Sequence, residues 1–109
     1  MHELIDSTEP AIGSLAEARA AIDEIDAALA VLLERRTAVA GAVQRLKPVG
    51  GFAGRNPERE RQIVTAMAEK APSLGPERLA RIMNVVIEAG LEVAEQRRIE
   101  QHRGAPDES

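Results

Sequence analysis

The sequence has almost no aromatic side chains, since Phe52 is the only one in 109 residues. The hydrophobic residues, 44 % of the chain, are therefore nearly all aliphatic, which favours helix packing over a sheet sandwich. No set of aromatic rings is available to stack on bases, and the net charge is −4. We therefore expect no nucleic-acid partner.

Cysteine is absent, and the two histidines, His2 and His102, lie near the termini. The sequence thus offers no disulfide framework, no thiolate metal site and no histidine-based catalytic triad. The first ten residues are acidic and polar, unlike a signal peptide, and no apolar run is long enough to span a membrane. We expect a cytoplasmic protein without membrane contact, bound metal or cofactor.

The dominant feature is one long segment, residues 15–47, interrupted only by Gly41. Its apolar residues recur at steps of three and four, the period of a helix with one buried face. They are Ile22, Ile25, Leu29, Leu32, Leu33, Val39, Ala40 and Val43. Ser14, with Glu17 three positions later, has the spacing of a capping box at the start of this helix.

Two further helices follow a loop over residues 48–56. Asn56 and Pro57 predict the start of the second helix, which should extend to about Ala71. Pro76 predicts the start of a third helix, which should end at about Arg98 or slightly later.

We therefore predict an all-α fold with one long, one short and one medium helix, forming a single domain over residues 1–109 that is ordered over about residues 12–102. Such a chain alone would leave one end of the long helix uncovered. A homodimer with antiparallel long helices is the simplest arrangement that covers it.

Positive charge is concentrated in residues 34–61, which hold seven cations and three anions. Three cations, Arg19, Arg36 and Lys47, continue the apolar stripe of the long helix. A cation on a core-facing stripe is costly unless an anion meets it or the side chain reaches water. A basic cluster in an acidic protein suits a small anionic ligand better than a polyanion.

The ordered set of these residues resembles the all-helical (AroQ-type) chorismate mutase family over roughly residues 15–98. The matching pattern is Arg19, Arg36 and Lys47 along the stripe with Asp26 at its edge, then Arg55-Asn56-x-x-Arg59-Glu60 after the loop. The resemblance implies an intertwined helical homodimer. It also implies conversion of chorismate, a small dianion, to prephenate by a Claisen rearrangement without a cofactor, in aromatic amino-acid or related metabolism.

The resemblance also implies a role for each matching residue. Arg19 would reach the substrate of the other protomer and bind a carboxylate, whereas Arg36 would bind a carboxylate in its own site. Lys47 would donate to the ether oxygen and to a carboxylate. Glu60 would accept from the ring hydroxyl, and Arg59 would help to hold the basic cluster at the substrate.

Helix geometry agrees with a shared site. Arg19 and Arg36 are seventeen residues apart, or roughly 25 Å along one helix, so one small dianion cannot contact both. An antiparallel partner helix would bring Arg19 to the neighbouring site. Arg36 and Lys47 are eleven residues apart, about three turns, and point in nearly the same direction.

The sequence departs from the family pattern at two places. The family carries a Gln or Glu on the last helix that faces the ether oxygen. Counting along the apolar stripe places Ala94 there, whereas a small register shift would place Gln96 there; Glu95 lies between them. Asn56 stands where some members have an acidic residue, and it would either bind substrate or cap the helix.

Other functions remain open on the same residues. Relatives of this fold remove pyruvate from isochorismate or rearrange 4-amino-4-deoxychorismate with a similar basic pocket. A non-catalytic helical dimer with a binding or regulatory role is a further alternative. The cations could also form an ordinary solvated face with pairs along each helix.

Overall fold

The computed structural model describes residues 12–46 and 55–104, with side chains as far as residue 101. These residues form three helices, α1 (Leu15–Leu46), α2 (Pro57–Lys70) and α3 (Gly75–Gly104), and the described ranges contain no strand. The prediction of an all-α chain with three helices is confirmed. Within the described residues, no helix is both long and apolar enough to cross a membrane.

Local side-chain hydrogen bonds start the first helix. The Ser14 hydroxyl accepts the Glu17 backbone N–H at 3.1 Å, and the Glu17 carboxylate accepts the Gly13 N–H at 2.8 Å. These two bonds satisfy donors that have no partner inside the helix. The predicted capping box thus forms with its second bond one residue earlier than the usual pattern, at Gly13 instead of Ser14.

The second helix ends at Lys70, one residue before the predicted limit. Ala71 caps its C-terminus, where the Ala71 N–H reaches the carbonyls of Met67 and Ala68. Gly75 then donates its N–H to the Ala71 carbonyl and has a φ of +77°, which is the left-handed region that glycine adopts without strain. This turn lets α3 begin at Gly75, one residue before Pro76.

The third helix is longer than predicted, because it continues past Arg98 to Gly104. The sequence between Leu91 and Arg103 contains neither glycine nor proline and is rich in Glu, Gln and Arg, which have high helix propensity. Arg98 also forms an ion pair with Glu95 one turn earlier. The helix therefore continues beyond the point where the apolar stripe weakens.

The chain divides into two compact units, one up to Arg35 and one from Arg36. The described residues of the first unit contain none that is buried, and the apolar stripe of α1 is exposed there. The exposed fractions are 54 % for Ile22, 45 % for Ile25, 48 % for Leu29 and 47 % for Leu32. The homodimer that would cover this stripe stays a prediction.

The core of the second unit lies between α2 and α3. Leu79 and Met83, four residues apart on α3, are only 3 % and 5 % exposed. Further along α3, Gly90 is buried, and a Cβ at this position would lie 3.8 Å from the Cβ of Ala40. This close approach places the C-terminal part of α1 next to α3.

Candidate active site

A cavity of about 300 Å³ lies within the second unit, and all three helices contribute to its walls. From α1 the lining residues are Arg36, Val39, Ala40, Val43 and Gln44. From α2 and the two residues before it they are Arg55, Asn56, Arg59, Glu60 and Ile63, and from α3 they are Ile87 and Leu91. The structure thus brings four of the predicted site residues, Arg36, Asn56, Arg59 and Glu60, to one cavity.

Two guanidinium groups reach the cavity from different helices. Arg36 is half-buried on α1, and Arg59 is exposed in the first turn of α2. Among the described residues, neither side chain forms an ion pair, in contrast to Arg55, Arg61 and Arg98. Both remain available, within that part of the chain, to bind an anion that enters from solvent.

The carboxylate in the cavity is held by a third guanidinium group. Arg55 donates from Nε to Glu60 Oε2 at 2.9 Å and from Nη2 to Glu60 Oε1 at 2.8 Å. Both side chains are partly shielded, with 32 % and 23 % of their surface exposed. This two-bond arrangement fixes the plane of the carboxylate as well as its position.

The same bonds determine the ionisation of this pair. The hydrogen bonds from Arg55 hold the pKa of the Glu60 carboxyl below its usual range, and the positive charge of Arg55 acts in the same direction. Partial desolvation raises the pKa, by less than the hydrogen bonds lower it, so that the net shift is downwards. Glu60 is therefore ionised at neutral pH and can only accept hydrogen bonds there.

Asn56 has a well-defined local role as the N-cap of α2. Its side-chain Oδ1 accepts the Arg59 backbone N–H at 3.1 Å, and its backbone is extended, with φ −124° and ψ 99°. Pro57 follows in the first helical position, where its missing N–H removes no helical bond. This cap fixes the first turn of α2, which carries Arg59 and Glu60 to the cavity.

The wall formed by α3 is apolar. Ile87 and Leu91 line the cavity, and the face that carries them continues to Ala94, three positions after Leu91. Gln96 is nine positions after Ile87, which places it on the opposite side of the helix. It is exposed, and its amide donates to Glu100 at 3.4 Å.

Three predicted site residues are not brought to this cavity by the described part of the chain. Gln96 and Arg19 are not among the lining residues; Arg19 is exposed on α1 in the first unit. Lys47 lies outside the described residues. The neighbour Glu95 is also outside the lining and pairs with Arg98 instead.

Sequence reasoning missed the roles of Arg55 and Gln44 in the lining. A usable signal for Arg55 was its position directly before the N-cap, because that position and the fourth helical residue commonly contact each other. In many helices two apolar side chains occupy these positions, whereas here Arg55 and Glu60 form an ion pair. Gln44 carried no signal beyond its place one position after Val43.

The described lining holds three guanidinium groups, one carboxylate and two amides against an aliphatic background. Since Arg55 and Glu60 neutralise each other, a positive excess remains on Arg36 and Arg59. This arrangement suits a small molecule with two carboxylates and an apolar body. Within the described residues, no group of three His, Asp or Glu side chains could hold a metal ion.

Comparison with known proteins gives one match. A family model described as chorismate mutase type II matches residues 18–95, which is more than half of the chain. The matched segment includes every residue that lines the cavity. No match is found among curated proteins or among solved structures.

Proposed function

This chain belongs to the chorismate mutase type II family, and we propose that it catalyses the Claisen rearrangement of chorismate to prephenate. Beyond family membership, one observation carries the proposal: Arg36 and Arg59 line the same cavity from two helices, beside the ionised Glu60. Chorismate has two carboxylates, a ring hydroxyl and an apolar ring. The charges and size of this cavity correspond to those groups.

In the proposed reaction, the protein supplies orientation and charge rather than a nucleophile. The rearrangement is unimolecular, so its rate rises when the enol-pyruvyl group is held over the ring in a compact conformer. Arg36 and Arg59 would each bind a carboxylate through their planar guanidinium groups. Glu60 would accept a hydrogen bond from the ring hydroxyl, while Ile63, Ile87 and Leu91 enclose the ring.

Negative charge develops on the ether oxygen as the C–O bond breaks, and a positioned donor stabilises it. We assign this donor role to Lys47, which follows α1 and lies eleven residues after Arg36. The α3 face that continues to Ala94 provides no side-chain donor, and Gln96 points to the other side of the helix. We therefore propose that the ether oxygen relies on Lys47.

The proposal includes a homodimer in which Arg19 of the partner subunit joins Arg36 and Arg59 at the substrate carboxylates. The exposed aliphatic stripe of α1, from Ile22 to Leu32, supports this arrangement because a single chain leaves it in contact with water.

Prephenate formed in this way would serve aromatic amino-acid biosynthesis or related secondary metabolism.

The test is a direct assay of the purified protein with chorismate, in which loss of the diene absorbance is followed and the product is identified by chromatography. Isochorismate is incubated in parallel, with pyruvate and salicylate measured. 4-Amino-4-deoxychorismate is incubated in a third parallel assay. The state of assembly is measured on the same sample by light scattering.

We expect prephenate from chorismate and a dimeric species. Pyruvate and salicylate from isochorismate, without prephenate from chorismate, would replace the mutase by a lyase. Turnover of 4-amino-4-deoxychorismate alone would make this compound the substrate in place of chorismate. A folded protein that converts none of the three would refute the enzymatic proposal and leave a binding role for the same cavity.

A further inference from the structure

The ion pair between Arg55 and Glu60 crosses the start of α2. Arg55 is the residue before the N-cap, and Glu60 is the fourth residue of the helix. The two hydrogen bonds, at 2.9 and 2.8 Å, engage both carboxylate oxygens. A pair of this form restricts rotation of the Glu60 side chain, because a new orientation would break both bonds together.

This pair lies where two cavities adjoin. Arg55 and Glu60 line the cavity of about 300 Å³ described above, and they also line a second cavity of about 450 Å³ between α2 and α3. Ile87 is the other residue common to both linings. Without Arg55, the Glu60 carboxylate could turn towards either space.

The pair also sets the charge that an incoming ligand meets. An ionised Glu60 alone would repel a dianion, whereas its neutralisation by Arg55 removes that repulsion. The positive charge of Arg36 and Arg59 then remains for the two ligand carboxylates. Arg55 can serve in this way without contacting the ligand, because its fork is directed at Glu60.

We propose that Arg55 is a positioning residue for the proposed reaction: it holds the Glu60 carboxylate in the cavity, oriented to accept the hydroxyl of the substrate, and offsets its charge against the dianion. This inference rests on the proposed function and extends it to a residue outside the predicted site set. It distinguishes Arg55 from Arg36 and Arg59, which are assigned to the ligand itself.

The ionisation of Glu60 supports this role. Arg55 holds the pKa of Glu60 below its usual range, so that the carboxylate stays ionised to lower pH than it would alone. Glu88 on α3 in turn helps to raise the pKa of Arg55, after the larger effect of Glu60. The other charged groups that share a cavity with Glu60 in the described residues are Arg36, Arg59 and Arg61.

The experiment compares four full-length proteins: unaltered, Arg55→Met, Arg55→Lys and Arg98→Met. The last is a matched control, because Arg98 donates from Nε and Nη2 to the two carboxylate oxygens of Glu95, and neither residue lines either of these two cavities. The kcat/KM for chorismate is measured across acidic and neutral pH. Thermal denaturation monitors folding, and carbon-13 NMR of labelled protein follows the titration of the Glu60 carboxyl.

For Arg55→Met we expect kcat/KM at neutral pH to fall by about 10- to 100-fold, which is the loss of charge-assisted hydrogen bonds of ordinary strength. The acidic limb of the pH profile should move to higher pH, together with the Glu60 titration. Arg55→Lys should retain part of the kcat/KM and show a smaller shift of the Glu60 titration, since lysine keeps the positive charge but cannot form the two-bond guanidinium pair. Arg98→Met should match the unaltered protein in both kcat/KM and the acidic limb.

Either of two results would overturn the inference while leaving the proposed function intact. One is an Arg55→Met variant with the kcat/KM and acidic limb of the active unaltered protein. The other is a folded variant that loses activity without any shift of the Glu60 titration. If the unaltered protein itself converts no chorismate, the proposed function fails, and the inference that rests on it fails with it.

Discussion

The N-cap of α2 gives the sharpest test of how local structure supports the site. Asn56 lines the cavity, but its Oδ1 already accepts the Arg59 backbone N–H at 3.1 Å. The side chain could therefore contribute by capping the helix or by contacting a ligand. Substitution by Ala, Ser and Asp separates these roles, because Ser and Asp keep an acceptor at the cap and Ala does not.

The expected magnitude follows from the single hydrogen bond that the cap makes. Loss of an N-cap acceptor lowers the free energy of unfolding by about 1 kcal/mol, within a range of about 0.5–2 kcal/mol. For a domain of about this size, that corresponds to a melting temperature lower by about 4–8 °C. We expect Asn56→Ala to show this loss and to reduce kcat/KM, because Arg59 and Glu60 sit in the turn that frays.

Asn56→Ser should retain both the stability and the activity if capping is the role of Asn56. Asn56→Asp should retain or slightly raise the stability, since a negative charge is favourable at a helix N-terminus. It should weaken binding of a dianion, because it adds a negative charge to the cavity. The Asn56→Asp and Asn56→Ser proteins should therefore differ in activity, although both keep a hydrogen-bond acceptor at the cap.

The assay is thermal and chemical denaturation followed by circular dichroism, at one protein concentration for all variants, with kcat/KM measured on the same preparations. An Asn56→Ala protein that unfolds at the same temperature as the unaltered protein would refute the capping argument. An Asn56→Ser protein with full stability but much lower kcat/KM would show instead that the amide contacts the ligand.

Three further predictions concern the cavity and the core. Arg36→Met should lower kcat/KM by about 100-fold without lowering the melting temperature, and full activity would exclude Arg36 from the site. Leu79→Ala should lower the free energy of unfolding by about 2–5 kcal/mol in chemical denaturation. Leu74→Ala changes a side chain that is 40 % exposed and should lower the free energy of unfolding clearly less. Equal decreases for the two variants would contradict the assignment of the core. Ala94→Gln should raise kcat about tenfold if this face of α3 lies at the ether oxygen, and an unchanged kcat would place the α3 residues elsewhere.

The fold was largely predictable because its signals are local. Spacing of apolar residues along α1, the cap at Ser14 and the Asn56-Pro57 pair each indicate a helix or its start without reference to the rest of the chain. The end of α3 was predicted too early, since the apolar stripe weakens before the helix does. High helix propensity and the pair between Glu95 and Arg98 extend it to Gly104.

The cavity was predictable only in part. Arg36, Arg59 and Glu60 stood out because cations lay on an apolar stripe and because the ordered set resembled a known family. The bidentate pair of Arg55 with Glu60 was not predicted, because sequence spacing alone does not say which of several nearby cations pairs with a carboxylate. The pairing depends on the path of the backbone before the N-cap.

Sequence alone therefore determined three helices, the N-caps of the first two and the presence of a basic cluster near the start of α2. The tertiary structure decided which faces of those helices meet around the cavity. The approach of Ala40 to Gly90 sets the C-terminal part of α1 beside α3, and Ile87 and Leu91 then face the cavity while Gln96 faces away. Helix formation depends on residues within a few positions, whereas the rotation of packed helices depends on contacts between residues far apart in the chain.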